Sequence, residues 1–428
     1  MGDSDVDSAR SGQQASGATI QRWRHAERVW RWSARIAPSH VDWYLRLRSG
    51  RGLPAAFRTR FLAMRLPPET VDRTLRDVRR LDDWLPAWNR AAQRFLNEAR
   101  RHEHANHWRE AAEARRNAAM CYHAAHLITD DDPRTVRALR AAGVQAFARA
   151  ISRLMPETKK VNVTWRTSTL PAYLAKPVTG SAGAPLVVLL NGATTTKEEL
   201  LLWADPWLER GIAVLALDWP GTGEAASMPL TADCDDMTDG IMALAEAADL
   251  DPNRVALLGF SLGGVIAVKS AALDRRIDAC IAVTSPFDPT QWLGAMNPLV
   301  RQQLMALAGQ SADIRQLAAE FSLRPVIGRL RAPLLVFGAG RDLVVPPDES
   351  LRLSAALGDL ATLVWYPRGH HGLYEVIDDW TTVAARWLCA LWGLPDTVAP
   401  STQVDSTTAT ASEDHVPHEG AESETRAD

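Results

Sequence analysis

Lysine is nearly absent from this 428-residue chain, which holds only Lys159, Lys160, Lys176, Lys197 and Lys269, so arginine supplies almost all of its positive charge. The formal net charge is −3, and that balance leaves no electrostatic footprint for nucleic acid. Cysteine is scarce too. Cys121, Cys234, Cys280 and Cys389 stand too far apart for a CxxC metal site or a dense disulfide framework, which points to free thiols in a reducing cytoplasm. Long apolar runs are missing: stretches such as Pro185 to Leu190 have strand length, well short of the roughly 20 residues that a membrane-spanning helix needs. The segment Met1 to Gly17 lacks the apolar core of a secretory signal. The expectation is a cytoplasmic globular protein with no cofactor, no nucleic acid and no membrane among its partners.

What is present falls into four parts. Residues 1–19 and the acidic 397–428 have the polar, aromatic-poor composition of disordered tails. Residues 20–155 hold almost no strand pattern. Ala, Arg, Leu and Trp recur there at three- and four-residue spacing, through Thr70 to Trp84, Trp88 to Trp108 and Pro133 to Leu154, which predicts an all-α N-terminal cap domain. Asp130-Asp131-Asp132-Pro133 reads as a helix start, with acidic residues ahead of a proline in the first turn. Between Arg22 and Arg35, arginines alternate with Trp23, Trp30 and Trp32, as on an amphipathic helix docked on its own protein. Together with Trp43 that arm carries enough apolar surface to suggest a homodimer.

From residue 156 to 396 the pattern changes. Val161 to Trp165 and Leu170 to Ala175 read as two strands. Six short apolar runs follow, at Pro185–Leu190, Ala213–Leu217, Arg254–Leu258, Ala279–Thr284, Pro333–Phe337 and Ala361–Tyr366, separated mostly by helical stretches. Runs apolar on both faces are what a parallel sheet covered by helices requires, so this part is predicted to be an α/β catalytic domain with a mostly parallel sheet.

Its chemistry is concentrated at strand ends. Gly259-Phe260-Ser261-Leu262-Gly263 matches G-x-S-x-G between a predicted strand and a predicted helix, the setting of a nucleophilic serine on a sharp turn. A serine hydroxyl needs a base to take its proton and an acid to orient that base. Asp342 follows the strand Pro333–Phe337 and is the expected acid, while Asp348 and Glu349 read as the cap of the next helix. The base is expected at His371, with His370 as the alternative, after the strand Ala361–Tyr366. An oxyanion hole is expected from the backbone N–H of Leu262 and that of Gly192 or Ala193. His102, His104 and His107 lack acidic partners at metal-site spacing and read as surface histidines, so no metal is expected.

Four stretches then act together: Leu189 to Glu199, Asp218 to Gly223, Gly259 to Gly263 and the Gly369-His370-His371 run. With the helical stretch Ala105 to Leu154 and the segment Leu170 to Pro177, they resemble the FrsA-like esterase family of α/β-hydrolases, over about Asn89 to Leu394. The resemblance implies an α/β-hydrolase fold behind a helical cap. It also implies hydrolysis of an ester or carbon–carbon (ketone) bond in a bulky, often polyketide-like small molecule of secondary metabolism. Family members that cleave carbon–carbon bonds use a further carboxylate in the segment matching Ser285 to Asn297, where Asp288 is the only acid here. Asp288, Trp292 and Asp218 are the expected substrate-binding residues. The alternative reading is a lyase or cyclase that uses the same His–Asp pair to remove a proton.

Overall fold

The computed structural model describes residues 55–127, 133–178, 182–309 and 313–396. Both predicted tails, the Arg22–Arg35 helix with Trp43, and the acidic start signal Asp130 to Asp132 lie outside the described residues. Five helices lead the described chain: α1 (Ala55–Ala63), α2 (Pro68–Asp77), α3 (Trp84–His104), α4 (Trp108–Ala125) and α5 (Pro133–Leu154). The helical pattern seen from Thr70 to Trp84 is interrupted, because the backbone N–H groups of Arg79 and Arg80 donate to Asp83 Oδ2 at 3.0 and 2.9 Å. That turn closes before α3 starts. A second break precedes Trp108, where Asn106 takes a left-handed φ of 61°.

Eight strands follow: β1 (Thr158–Trp165), β2 (Ser168–Ala175), β3 (Ala184–Leu190), β4 (Ala213–Leu217), β5 (Leu250–Phe260), β6 (Ala279–Val283), β7 (Leu334–Ala339) and β8 (Ala361–Tyr366). They form one sheet in the order β1-β2-β4-β3-β5-β6-β7-β8. β1 and β2 pair antiparallel, β2 meets β4 antiparallel, and the remaining pairs are parallel. Every residue of β3, β4, β6 and β7 is buried, as the doubly apolar runs required.

Alternation along a strand sends neighbouring side chains to opposite faces. In β3, Val187 and Leu189 join one core, and Leu186, Val188 and Leu190 join the other. The first core runs without interruption into the leading helices, where Phe61, Trp84 and Trp88 pack at ring separations of 4.5 to 5.9 Å. A hydrogen bond also crosses the seam: Trp203 Nε1 donates to the Ala63 carbonyl at 3.0 Å. The helical layer and the sheet thus share one apolar interior. The second core lies under the helices Met237–Ala247 and Leu262–Leu273.

All four cysteines are buried and free. No helix among the described residues is long and apolar enough to cross a membrane.

Candidate active site

β5 ends at Phe260 and the helix Leu262–Leu273 begins two residues later, so Ser261 must make the whole reversal alone. It does so at φ 55° and ψ −120°, a region costly for a residue with a Cβ and one that persists only where its surroundings enforce it. Two contacts enforce it. The Ser261 N–H donates to the Val283 carbonyl at the end of β6, at 2.9 Å, and the Ser261 carbonyl accepts from the Gly264 N–H at 2.9 Å. The flanking glycines are needed for space: a Cβ on Gly259 would stand 2.1 Å from the Gly263 carbonyl oxygen, and one on Gly263 would stand 2.3 Å from that of Leu190.

His371 Nε2 lies 3.0 Å from Ser261 Oγ, and its Nδ1 lies 2.8 Å from Asp342 Oδ2. Asp342 is buried, and its other oxygen accepts the N–H groups of Val344 and Val345 at 2.8 and 2.9 Å. Those bonds leave Oδ2 aimed at the ring, which makes Nδ1 the protonated nitrogen and Nε2 the acceptor. His370 points elsewhere. Its Nδ1 and its backbone N–H both meet Glu375 Oε1, at 3.1 and 2.6 Å.

The loop after β3 carries the other expected site residues. The Gly192 N–H is taken up inside its own turn by Thr195 Oγ1, at 2.5 Å. Asn191 Nδ2 braces the same turn through the Thr195 carbonyl at 2.6 Å. Ala193 and Leu262 both line a cavity of about 160 Å³ that opens beside Ser261 and His371. Of the two candidates in this loop, Ala193 is the one whose N–H the turn does not use.

The cavity is largely apolar. Phe57 on α1 and Leu127 just after α4 line one side, and Trp292, Met296, Val300 and Leu304 line the other, from an excursion between β6 and β7 that includes the helix Pro298–Ala308. Gln303 closes the two sides together by donating to the Leu127 carbonyl. Arg60 is the only Arg, Lys, Asp or Glu among the described lining residues.

Two expected substrate contacts are corrected by their positions. Asp218 is fully buried away from the cavity, accepting from the Lys197 N–H at 2.8 Å, the Glu224 N–H at 2.8 Å and Lys197 Nζ at 2.9 Å. Lys197, also fully buried, lies within 3.0 Å of carboxylate oxygens of Glu198, Asp218 and Glu224. Burial opposes its charge, but those three carboxylates hold its pKa well above the ordinary lysine value. Asp288 is turned toward Thr290, Ser322 and Arg324, at 2.6, 3.0 and 3.5 Å. Against the effect of burial, these partners keep its carboxyl below the usual range. Trp292 alone of the three lines the cavity.

Glu349 is not a helix cap either. It is buried, and its Oε2 accepts the Phe287 and Asp288 N–H groups at 2.9 and 2.7 Å, which ties the strand-end loop to the helix Asp348–Ala355. The sequence reading missed Arg60, Gln303 and Tyr374, all of which line the cavity. Arg60 sits among many helical arginines, and nothing local marks it. No group of three or more His, Cys, Asp or Glu residues among those described is arranged to hold a metal ion.

Comparison with known proteins agrees with this architecture. A family model described as esterase FrsA-like matches residues 69–302, and one described as the alpha/beta hydrolase family matches residues 187–421. The 2,6-dihydropseudooxynicotine hydrolase of Paenarthrobacter nicotinovorans is 29% identical over 211 residues, covering 49% of this chain and 57% of that protein. The 20-hydroxy-prefusarin hydrolase FUS2 of Gibberella moniliformis is 30% identical over 300 residues, covering 57% of this chain and 70% of that protein. For the first of these relatives the match thus spans little more than half its length. The crystal structure of the 2,6-dihydroxy-pseudo-oxynicotine hydrolase superposes with a TM-score of 0.69 at 23% identity, over 78% of this chain and 95% of that one, which shows the shared fold. A mostly parallel sheet with a helical N-terminal region, and a family model that spans more than half of the sequence, lead to one assignment: the chain belongs to the FrsA-like esterase family of α/β-hydrolases.

Proposed function

We propose that the protein is a serine hydrolase that cleaves an ester bond in a small, largely apolar molecule. The observation that carries this reading is the alignment of Ser261 Oγ, His371 and buried Asp342 through hydrogen bonds of 3.0 and 2.8 Å at the carboxyl ends of parallel strands. His371 Nε2 takes the hydroxyl proton as Ser261 attacks the carbonyl carbon, and Asp342 stabilises the imidazolium that forms. The developing oxyanion is held by the N–H groups of Ala193 and Leu262, the latter at a helix N-terminus where negative charge is favoured. His371 then returns its proton to the leaving oxygen. Water, activated by the same imidazole, releases the acyl group.

An ester is favoured over a carbon–carbon bond because no carboxylate lines the cavity among the described residues, and Asp288 is engaged elsewhere. The volume beside Ser261 narrows the substrate further. A cavity of about 150 Å³ lined by aliphatic and aromatic groups holds benzene, whereas a whole drug-sized ligand needs about 300 Å³ or more. At about 160 Å³, the site suits an acyl group the size of a single ring, with the remainder of a bulkier molecule passing out through the mouth.

A fluorophosphonate probe is expected to label the wild type and leave Ser261→Ala unlabelled, and hydrolysis in heavy-oxygen water is expected to place the label in the acid product. Among p-nitrophenyl esters, acetate and benzoate are expected to be turned over well and laurate poorly. Turnover that persists in Ser261→Ala would sink the reading.

A further inference from the structure

The loop that carries Ala193 is gripped from outside the sheet. Arg60, on α1, donates from Nη1 to the Thr194 hydroxyl at 3.1 Å and from Nη2 to the Thr194 carbonyl at 2.8 Å. The same Nη2 lies 3.1 Å from Glu199 Oε2, and that oxygen also meets His123 Nε2 of α4 at 2.9 Å. Glu199 is fully buried and His123 nearly so. Two helices of the leading layer, one through Arg60 and the other through His123, therefore hold both ends of the stretch Thr194 to Glu199.

We propose that Arg60 is a positioning residue for the transition state: by fixing the residue next to Ala193, it aims the Ala193 N–H at the oxyanion. The proposal rests on the serine-hydrolase reading. A guanidinium is a planar fork, and one that holds both the carbonyl and the hydroxyl of a single residue removes the freedom of the adjoining peptide to swing. Its charge is compensated by Glu199, whose carboxyl is kept below its ordinary pKa against the effect of burial by the Arg60 charge and the His123 hydrogen bond. The turn's own bonds, Gly192 N–H to Thr195 Oγ1 and Asn191 Nδ2 to the Thr195 carbonyl, brace the loop on its other side, so Thr194 is the point where outside support is needed. The leading helices then serve the chemistry as well as roofing the cavity.

The rival role is direct contact between Arg60 and an anionic part of the substrate, since Arg60 lines the cavity with its guanidinium 5.3 Å from the centre of the Tyr374 ring. Kinetics on a neutral ester separate the two. Loss of a group that binds ground state and transition state equally raises KM, whereas loss of oxyanion alignment lowers kcat and leaves KM alone.

The experiment measures p-nitrophenyl acetate kinetics and the rate of Ser261 phosphonylation by an alkyl fluorophosphonate, in the wild type, Arg60→Met, Arg60→Lys and Ser261→Ala. Misaligning one oxyanion donor is expected to lower kcat and the phosphonylation rate of Arg60→Met together by about 100-fold, with KM within about threefold. Arg60→Lys, which keeps the charge but loses the fork, is expected to recover only part of this. A raised KM at unchanged kcat, or phosphonylation at the wild-type rate, would overturn the proposal. Should Arg60→Met fail to fold, Arg60→Lys decides, because it keeps a positive charge beside Glu199 and loses only the fork on Thr194: a lower kcat and phosphonylation rate at unchanged KM support the proposal, and wild-type values of both refute it. Labelling of Ser261→Ala as fast as the wild type is a different failure, that of the hydrolase reading itself.

Discussion

Thr284 Oγ1 accepts the backbone N–H of Gly372 at 3.2 Å, which ties the residue just after β6 to the residue just after His371. Both sit in tight turns, Thr284 at φ 45° and Gly372 at φ 80°, and Thr284 is further fixed by its own N–H to the Phe337 carbonyl at 2.9 Å. The imidazole is therefore positioned from the sheet and not only by Asp342. Thr284→Val keeps the shape but leaves the buried Gly372 N–H without its acceptor, a loss of about 1–3 kcal/mol. The variant is expected to show a lower melting temperature and about a tenfold lower kcat, with KM unchanged. Thr284→Ser, which restores the hydroxyl, is expected to recover most of both. Wild-type kcat in a folded Thr284→Val would show that the contact does not position the histidine.

The adjacent histidines are expected to part company when replaced. His371 bridges Ser261 and Asp342, while His370 is bonded twice to Glu375 and to neither of them. Removing a member of such a triad typically costs about 10⁴-fold in kcat or more, so His371→Ala and Asp342→Asn should both fall by that order. His370→Ala should stay within about threefold, the range expected of a group outside the chemistry. Steady-state kinetics at a single pH suffice, and equal losses at the two histidines would refute the assignment.

How much of this was legible in the chain depends on how local the signal was. Ser261, Asp342 and the histidine pair each follow a short apolar strand, and in a parallel sheet strand ends converge, so local motifs were enough to bring them to one place. Which histidine faces the serine was a matter of side-chain direction, set here by Glu375 five residues beyond His370. Asp218 and Asp288 misled for another reason: a carboxylate in a strand-end loop looks alike whether it meets a substrate or a buried lysine. Lys197 meets Asp218 from 21 positions away, and the amides that Glu349 accepts come from a segment still more distant in sequence. Arg60 was hidden most completely, since its partners Thr194 and Glu199 lie 134 and 139 positions away on another layer of the fold.

Acid should loosen the far end of the nucleophile's helix. Asp274 terminates the helix Leu262–Leu273, and its carboxylate accepts Arg276 N at 2.9 Å and Arg276 Nη2 at 2.6 Å. Burial works against the charge, but the bonds from Arg276 prevail and bring the Asp274 pKa down to about 2 from 3.8. A carboxyl whose folded-state pKa is depressed adds stability that is fully present above its unfolded value and fades as the pH falls through the folded one. Asp274→Asn should therefore be the less stable protein at pH 7, and its deficit should shrink as the pH drops below about 4. Arg276 is half exposed, so solvent screening keeps the effect small, a shift of a few degrees in melting temperature. Thermal unfolding of both proteins from pH 7 to pH 3 measures the gap, and a difference that stays constant across that range would show that Asp274 is not held in its charged form by Arg276.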